Sequence, residues 1–371
     1  MMPESDVTVQ LLTPAGELAP SDSAEEFLPY FERLTEDDHS GFLRDMRLTR
    51  AFDLEATNLQ RQGHLGLWAP STGQEAAQVG SGRATRPQDH VFPAYREHGV
   101  ALIRGVDPVD IVRLMRGVTH GGWDPAAANF HLYTLVIGSQ ALHATGYAMG
   151  VAFDGDVATG DPDRDTAVIA YYGDGATSQG DVSEAFVFAA SFQTPQVFFL
   201  QNNHWAISVP VSTQSRTPLY LRSRGFGVPS TQVDGNDVFA SYAVTAKHLD
   251  DARNGGGPSF IEALTYRVGA HTSSDDPTKY RTDDELQGWV AKDPIARLEA
   301  YLRKQGAPQS LFDGIDEEAK DLAADVRRRT IELTSPALPG IFDHVYSDPH
   351  PVTTEQREWL ERYEASLGGN R

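Results

Sequence analysis

Two short polar clusters, each directly after a predicted buried strand, could together hold a metal ion. The Gly-Asp-Gly tripeptide 173–175 places the carboxylate of Asp174 after the first strand, and Asn202 and Asn203 follow the second. A carboxylate, an amide oxygen and a main-chain carbonyl are hard oxygen ligands of the kind that Mg²⁺ prefers, and they leave positions for phosphate oxygens and water. The two clusters therefore predict a bound diphosphate with its metal ion.

A strand–helix–strand unit is the element that would bring these clusters together. The apolar runs 166–172 and 197–200 are bounded by polar residues and glycine, as buried strands are. Between them, 178–192 carries apolar residues at helical spacing, and the N-terminus of a helix that begins near Ser178 would face an anion. Two such strands pair in parallel across a crossover, so their carboxyl ends meet at one edge of the sheet, where ligands gather.

The remaining patterns predict an α/β fold with a mainly parallel sheet flanked by helices. Asp107 and Asp293, each followed by Pro, are predicted N-caps. The small residues of 139–152 predict a helix that suits a buried position. Further elements are a helix over about 41–62 capped by Ser40, a helix over 107–117 and a strand over 259–268. We divide the chain into an N-terminal arm (1–40), a core (41–330) and a C-terminal extension (331–371).

The composition excludes several classes of protein. The formal net charge of −21 argues against nucleic acid as a partner, because phosphate backbones are bound by clustered Lys and Arg. With no Cys there can be no disulfide, thiolate metal site or Cys nucleophile. No apolar run is long enough to span a membrane, and no targeting segment is visible at the N-terminus, so we expect a cytoplasmic protein. The glycine fingerprint of nicotinamide dehydrogenases and the Gly-x-Ser-x-Gly turn of serine hydrolases are both absent.

The segment from the Gly-Asp-Gly tripeptide to the Asn pair resembles the thiamine diphosphate motif. Its surroundings resemble the α subunits of branched-chain 2-oxo acid and pyruvate dehydrogenases, over residues from about 7 to about 360. Besides the tripeptide and the Asn pair, the stretches that carry this resemblance are 61–63 (Arg-Gln-Gly), 73–76 (Gly-Gln-Glu-Ala), 95–97 (Tyr-Arg-Glu), 233–237 (Val-Asp-Gly-Asn-Asp) and 271–281.

The resemblance implies a set of site residues and the thiamine diphosphate-binding fold. Asp174, the side chain of Asn203 and the main-chain oxygen of Trp205 would hold Mg²⁺. His271 would act at the reacting centre, and the loop from about 270 to 285 would become ordered around the cofactor and receive a lipoyl arm. The residues that would contact thiamine diphosphate are Tyr95, Arg96, Ile137, Gly173, Asp174, Gly175, Ala176, Asn203 and His271. Arg96 suits a phosphate because its planar guanidinium is always charged, and His271 is a plausible proton donor near neutral pH.

The activity implied is that of the E1 component of a 2-oxo acid dehydrogenase, which decarboxylates a 2-oxo acid oxidatively and passes the acyl group to a lipoyl group of the E2 acyltransferase. In this family a carboxylate from a pyrimidine-binding module activates the cofactor, and this chain has no room for a second complete module. We therefore expect a β subunit and an α₂β₂ assembly. Branched-chain 2-oxo acids are favoured as substrates over pyruvate or acetoin, and a non-catalytic scaffold that retains the fold is the alternative of another class.

Several positions differ from relatives or leave alternatives open. Gln201 stands where some relatives have a basic residue, Trp205 where others have Tyr, and Leu135 where some have a hydroxyl that contacts the cofactor. Thr272 and Thr282 replace serines that are phosphorylated in mitochondrial relatives. A potassium site near 134–140 and regulation by phosphorylation stay open.

Overall fold

A computed structural model describes residues 8–119, 121–336 and 338–368. Residues 1–7 of the predicted N-terminal arm and 369–371 of the predicted C-terminal extension lie outside these ranges. The strands in the described residues are β1 (Thr8–Val9), β2 (His90–Phe92), β3 (Val168–Gly173), β4 (Gln196–Asn202), β5 (Trp205–Ala206), β6 (Val209–Pro210), β7 (Ser230–Asp234) and β8 (Ser259–Leu264).

Helices account for most of the remaining regular structure. The α-helices of the described residues are α1 (Leu28–Phe31), α2 (Glu36–Arg61), α3 (Glu75–Arg83), α4 (His98–Ile103), α5 (Pro108–Arg116), α6 (Pro125–Ala128), α7 (Ser139–Asp154), α8 (Gly180–Phe192), α9 (Val211–Gln214), α10 (Val238–Arg253), α11 (Asp283–Val290), α12 (Pro294–Lys304), α13 (Gln309–Glu332) and α14 (Pro351–Ser366). Short 3-10 segments are Asp22–Phe27, Asp174–Ser178, Leu219–Leu221, Ser223–Phe226, Pro277–Lys279 and Leu338–Phe342. None of the helices in the described residues combines the length and the apolarity that crossing a bilayer requires.

Six strands form one parallel sheet in the order β1-β7-β8-β4-β3-β2. The α/β class with a mainly parallel sheet is thus confirmed, as is the pairing of the two strands of the predicted unit, β3 and β4. Because every strand of this sheet runs the same way, the carboxyl ends of β3, β4, β7 and β8 lie at one edge. Strands β5 and β6, of two residues each, form an antiparallel hairpin that follows β4 at that edge.

Side chains alternate along the central strands between two apolar cores, as the two-residue period of a strand requires. In β3, Ile169 and Tyr171 pack with α2, α3 and α10, whereas Val168, Ala170 and Tyr172 pack with α7 and α8. All five side chains are fully buried. Helices therefore cover both faces of the sheet, which explains why β3 and β4 read as continuous apolar runs in the sequence.

The predicted start of the first long helix is wrong by several residues. Helix α2 begins at Glu36, and Thr35 caps it, so Ser40 lies inside the helix. The Thr35 hydroxyl accepts from the Asp38 amide at 3.2 Å, and the Asp38 carboxylate accepts from the Thr35 amide at 2.9 Å. This reciprocal capping box satisfies two amides that a helix otherwise leaves unpaired. The predicted caps Asp107 and Asp293 are confirmed at α5 and α12.

Helix α7 is buried on one face only, so the buried position expected from its small residues is met in part. Its Ala141, Ala144 and Ala148 pack into the core, but the opposite face is open. There, no heavy atom lies within 4 Å of a Cβ built on Gly146 or Gly150. The small residues thus do allow close packing on the inner face, and they leave the outer face of the isolated chain bare.

Candidate functional site

A cavity of about 420 Å³ opens at the carboxyl edge of the sheet. Its wall is built from the loops that follow β2, β3 and β4, the segment before α7, and the loop after β8. All the residues that the resemblance implied for the site line this one cavity: Tyr95, Arg96, Ile137, Gly173, Asp174, Gly175, Ala176, Asn203, Trp205 and His271. The structure therefore brings together side chains that are as many as 176 positions apart.

Asp174 is a buried carboxylate on the 3-10 turn that follows β3. One carboxylate oxygen accepts from the Gln214 amide at 2.9 Å, and the Asp174 carbonyl accepts from the Thr177 hydroxyl at 2.7 Å. Burial raises the pKa of Asp174, against the bond from Gln214. Among the described residues no Lys, Arg or His lies within salt-bridge distance of it. A buried carboxylate without a cation partner is the group that a metal ion would stabilise.

The glycine after Asp174 is required by close packing against the hairpin. A Cβ at Gly175 would lie 2.8 Å from the Cβ of Ala206, whereas one at Gly173 would meet no heavy atom within 4 Å. The Asp174 turn and the β5–β6 hairpin are therefore pressed together, which brings Trp205 next to the Asp174 turn.

The two asparagines after β4 have different roles. Asn202 points away from the cavity wall: its amide donates to Glu262 at 2.6 Å, and its side-chain oxygen accepts from the His204 amide at 3.1 Å. Asn203 lines the cavity, donates to the Gln74 side chain at 3.2 Å and accepts from the Trp205 amide at 3.3 Å. Asn202 thus shapes the turn, and Asn203 presents the oxygen that was predicted as a ligand.

The backbone of this turn adopts an unusual conformation. His204 and Ile207 have φ values of +70° and +57°, in a region that residues with side chains seldom occupy. Such conformations persist where the surrounding contacts impose them, and they are found most often at functional sites. Here the bonds of Asn202 supply part of that constraint.

The donor set fits a hard divalent cation. Asp174 offers a carboxylate, Asn203 an amide oxygen and Trp205 a main-chain carbonyl, which are oxygen ligands of the type that Mg²⁺ takes. Within the described part of the chain no three His, Asp or Glu side chains cluster as a metal site. A site with a single carboxylate is consistent with that finding, because phosphate oxygens and water complete the octahedron of Mg²⁺.

Arg96 provides a buried positive charge in the wall of the same cavity. Its guanidinium donates to the carbonyls of Pro70 at 2.5 Å and His271 at 2.9 Å, and it lies over the Tyr95 ring at 5.4 Å. In the described residues it has no carboxylate within 4 Å, although its side chain is 7% exposed. The charge of Arg96 is therefore fixed in place and left for an anionic ligand.

His271 is held against this guanidinium. Its Nδ1 lies 3.3 Å from Arg96, which can only donate, so the ring proton resides on Nε2, which lies 3.5 Å from the Tyr95 hydroxyl. Burial, with the charges of Arg96 and Arg267, lowers the pKa of His271 to about 3. The ring is thus neutral at pH 7 in this environment, and an anion beside Arg96 would raise its pKa again.

Further residues in or beside the cavity were not assigned from the sequence. Gln74 and Glu97 line the cavity, and the Gln74 amide nitrogen is buried without a hydrogen-bond partner in the described residues. Gln201 donates to Glu97 at 2.6 Å, and burial raises the pKa of Glu97 to about 7. Arg267 is fully buried with two unpartnered nitrogens. Gln74 and Glu97 stand inside stretches that the resemblance had marked, but nothing in the sequence distinguished Arg267 from a structural arginine.

The mouth of the cavity is apolar and exposed. Leu135, Ile137 and Ile207 line it and are 63%, 37% and 53% exposed. On the outside, the open face of α7 and the neighbouring α8 carry Phe153, Phe188 and Phe192, also largely exposed. The loop after β8 is tied by its own bonds: Asp275 accepts from the His271 amide at 2.9 Å and from the Tyr280 hydroxyl at 2.5 Å.

Comparison with known proteins gives a consistent result along the whole chain. Residues 43–332 match the family model described as the dehydrogenase E1 component. The chain is similar to the 3-methyl-2-oxobutanoate dehydrogenase subunit alpha of Mycobacterium tuberculosis, with 43% identity over 354 residues that cover 95% of this chain and 93% of the relative. It is also similar to the pyruvate dehydrogenase E1 component subunit alpha of Acholeplasma laidlawii (38% identity, covering 85% of this chain and 90% of the relative) and of Bacillus cereus (37%, covering 85% and 81%).

Proposed function

The chain belongs to the dehydrogenase E1 component family, and from that membership we propose that it is the α subunit of a thiamine diphosphate- and Mg²⁺-dependent 2-oxo acid dehydrogenase. The reaction proposed is the oxidative decarboxylation of a branched-chain 2-oxo acid, with transfer of the acyl group to a lipoyl group on an E2 acyltransferase. The relative with 43% identity, whose name specifies 3-methyl-2-oxobutanoate, supports this substrate class. Relatives of 38% and 37% identity carry the pyruvate name, and pyruvate is therefore the second candidate.

The observation that carries the proposal is that one cavity is lined by two buried charges of opposite sign, each without an ion-pair partner in the described residues. Asp174 is a buried carboxylate with no cation partner in the described residues, and Arg96 is a buried guanidinium with no carboxylate partner there. Burying an unpaired charge costs several kcal/mol, of the order found for broken buried ion pairs. A metal ion at Asp174 together with a diphosphate at Arg96 would neutralise both groups at once.

Six residues of the cavity have roles in this proposal. Asp174, Asn203 and the Trp205 carbonyl hold Mg²⁺, and Arg96 binds the diphosphate. Thiamine diphosphate, when bound, supplies the electron sink that decarboxylation of a 2-oxo acid requires. His271 donates a proton from Nε2 beside the reacting centre, because its Nδ1 faces the Arg96 guanidinium. Ile137, in the apolar wall, supports the organic part of the cofactor and keeps water from it.

A β subunit completes the site in this proposal. The carboxylate that activates the cofactor in this family comes from a pyrimidine-binding module, which would lie across the apolar mouth formed by Leu135, Ile137 and Ile207. The bare outer face of α7 at Gly146 and Gly150 is continuous with exposed aromatic side chains, and it is suited to close contact with a second chain. We propose that these surfaces are buried in an α₂β₂ heterotetramer. A cytoplasmic location stays a prediction from the sequence.

The deciding experiment is an activity assay of the chain co-expressed with a β subunit from its own genome. Reduction of ferricyanide and release of CO₂ are measured with thiamine diphosphate and Mg²⁺, comparing 3-methyl-2-oxobutanoate with pyruvate. We expect turnover that requires the cofactor and the partner, with the branched-chain acid preferred. Preference for pyruvate would overturn the substrate assignment. A chain that does not bind thiamine diphosphate would overturn the activity itself and support a non-catalytic scaffold.

A further inference from the structure

Arg96, Asn203 and the loop that carries His271 are all hydrogen-bonded to one segment, residues 68–74 between α2 and α3. We propose that Asp53, a buried carboxylate on α2, is a positioning residue that fixes this segment and through it the cofactor-binding groups. The inference deepens the proposed function and rests on it. Asp53 does not line the cavity, and neither the sequence patterns nor the resemblance to E1 α subunits drew attention to it.

Asp53 is the acceptor for four donors of the segment. One carboxylate oxygen accepts from the Trp68 indole at 2.7 Å. The other accepts from the amides of Ser71 and Thr72, at 3.0 and 2.9 Å, and from the Thr72 hydroxyl at 2.6 Å. Asp53 is 1% exposed, so water does not compete for these bonds. Hydrogen bonds to a buried carboxylate are among the stronger ones in proteins, because the acceptor is charged.

The segment carries this constraint directly to two predicted cofactor contacts. The Pro70 carbonyl accepts from the Arg96 guanidinium at 2.5 Å, two residues from Thr72 and one from Ser71. At its other end, the Gln74 side chain accepts from the Asn203 amide at 3.2 Å. Loss of the Asp53 anchor would therefore free both the phosphate-binding arginine and the metal-binding asparagine.

The segment is also bonded to the loop that carries His271. The Ser273 amide donates to the Trp68 carbonyl at 2.9 Å, and the Trp68 amide donates to the Ser273 hydroxyl at 3.1 Å. The Val268 amide donates to the Thr72 carbonyl at 3.0 Å. Asp53 accepts hydrogen bonds from the side chains of Trp68 and Thr72. The backbones of these same two residues are hydrogen-bonded to the loop that carries His271.

The segment has no helix or strand of its own to fix it. Its approach to the chain after β8 is also very close: a Cβ on Gly73 would lie 2.3 Å from the Tyr266 carbonyl, and Gly73 has a φ of +99°. Asp53 bonds to this loop from α2. Asp53 on α2 is therefore outside the cavity, whereas the residues that it positions line the cavity.

The test compares two matched Asp→Asn substitutions in the full chain bound to its β subunit. Asp53→Asn puts an amide nitrogen against at least one donor in either orientation of the side chain. Asp237→Asn is the control, because Asp237 is also fully buried and also accepts from four donors, the amides of Leu11, Leu12, Phe239 and Ala240. None of these four residues lines the cavity.

Binding of thiamine diphosphate with Mg²⁺ is measured by calorimetric titration, well below the unfolding temperatures of both variants. We expect Asp53→Asn to raise the dissociation constant at least tenfold and Asp237→Asn to change it less than twofold, although both lower the unfolding temperature. Equal effects of the two substitutions on binding would overturn the positioning role, and so would unchanged binding by Asp53→Asn.

Hydrogen exchange supplies a second readout that does not need the cofactor. In Asp53→Asn the amides of Val268 and Ser273, which do not touch Asp53, should exchange at least tenfold faster, and in Asp237→Asn they should not. Slow exchange at both amides in Asp53→Asn would contradict the positioning role of Asp53. Failure of the wild type to bind cofactor would instead refute the proposed function, and the exchange result would still decide the positioning role. Should Asp53→Asn not fold, Thr72→Val removes one of the four bonds, and a dissociation constant unchanged within twofold would then count against the inference.

Discussion

Protonation of Glu97 is coupled to folding, and the substitution Glu97→Gln is expected to remove that coupling. Glu97 is 2% exposed in the wall of the cavity, and its carboxylate accepts from the Gln201 amide at 2.6 Å. Burial raises the pKa of Glu97 from its ordinary value of 4.5 to about 7, against the hydrogen bonds and the charge of Arg96. The ionised form is therefore less stable in the folded protein than in the unfolded chain.

The sign and size of the effect follow from these two pKa values. Below pH 4.5 the carboxyl group is protonated in both states and does not oppose folding. Between pH 4.5 and 7 the folded protein holds the proton more tightly than the unfolded chain, so the free energy of unfolding falls as the pH rises. Above pH 7 the loss is complete, and at about 1.4 kcal/mol for each pH unit between the two values it amounts to about 3 kcal/mol.

A glutamine at this position keeps an oxygen for the Gln201 amide but cannot ionise. We allow about 1 kcal/mol for the amide nitrogen that replaces the oxygen accepting from the Arg96 amide at 3.4 Å. The variant should then be more stable than the wild type by about 2 kcal/mol at pH 8 and should match it within about 1 kcal/mol at pH 5.

Urea unfolding of the isolated chain at pH 5, 6, 7 and 8 measures this difference. Other ionisable groups cancel when variant and wild type are compared at the same pH. Glu317→Gln, at an exposed position on α13, makes the same change of net charge without burial, and its stability difference should not vary with pH. If the advantage of Glu97→Gln failed to grow between pH 5 and pH 8, or grew equally for Glu317→Gln, the assignment of a buried, titrating Glu97 would be refuted.

Three further predictions concern the metal ion, the diphosphate and the first helix. Asp174→Ala should abolish Mg²⁺-dependent binding of thiamine diphosphate in titrations with and without the metal, and unchanged affinity would exclude the metal assignment. Arg96→Gln should weaken cofactor binding about 10- to 100-fold, the worth of a hydrogen bond to a charged group, whereas Arg83→Gln, at a surface ion pair with Asp45, should not weaken it. Thr35→Ala should lower the free energy of unfolding by about 1 kcal/mol through loss of the helix cap, and Ser40→Ala should not lower it; the reverse order would support a helix start at 41.

The centre of the fold could be predicted because its signals are local and strong. The runs that form β3 and β4 have apolar centres, and β3 ends at Gly173 and β4 at Asn202. The Asp-Pro pairs that begin at Asp107 and Asp293 also predict the start of a helix, because Asp is a preferred N-cap and Pro a preferred first residue. The start of α2 was mistaken because two capping residues compete within six positions, and the reciprocal partner Asp38, which decides for Thr35, was overlooked.

Some residues of the candidate site could likewise be predicted from the sequence, and others could not. Asp174 and Asn203 follow strands and could be located from the sequence, but the proximity of His271 to Arg96 depends on the packing of distant loops. The depressed pKa of His271 could not be foreseen either, because it arises from burial and from Arg267, whose own burial the sequence does not reveal. The open face of α7 was misjudged because small residues indicate close packing without indicating against which chain.

The order of the strands in the sheet has a consequence for synthesis of the protein. Among the strands of the described residues, β8 is the last to leave the ribosome, yet it lies in the middle of the sheet, between β4 and β7. Until residue 264 has emerged, the nascent chain can form at most two separate half-sheets, one of β2, β3 and β4 and one of β1 and β7.

Strand β4 is then an open edge with four successive apolar residues, Val197 to Leu200, and a free set of backbone donors and acceptors. Such edges template pairing with other chains. A ribosome that pauses between β4 and β8 should therefore expose the most aggregation-prone intermediate of this protein, and a chaperone that binds extended apolar segments would be needed most at that interval.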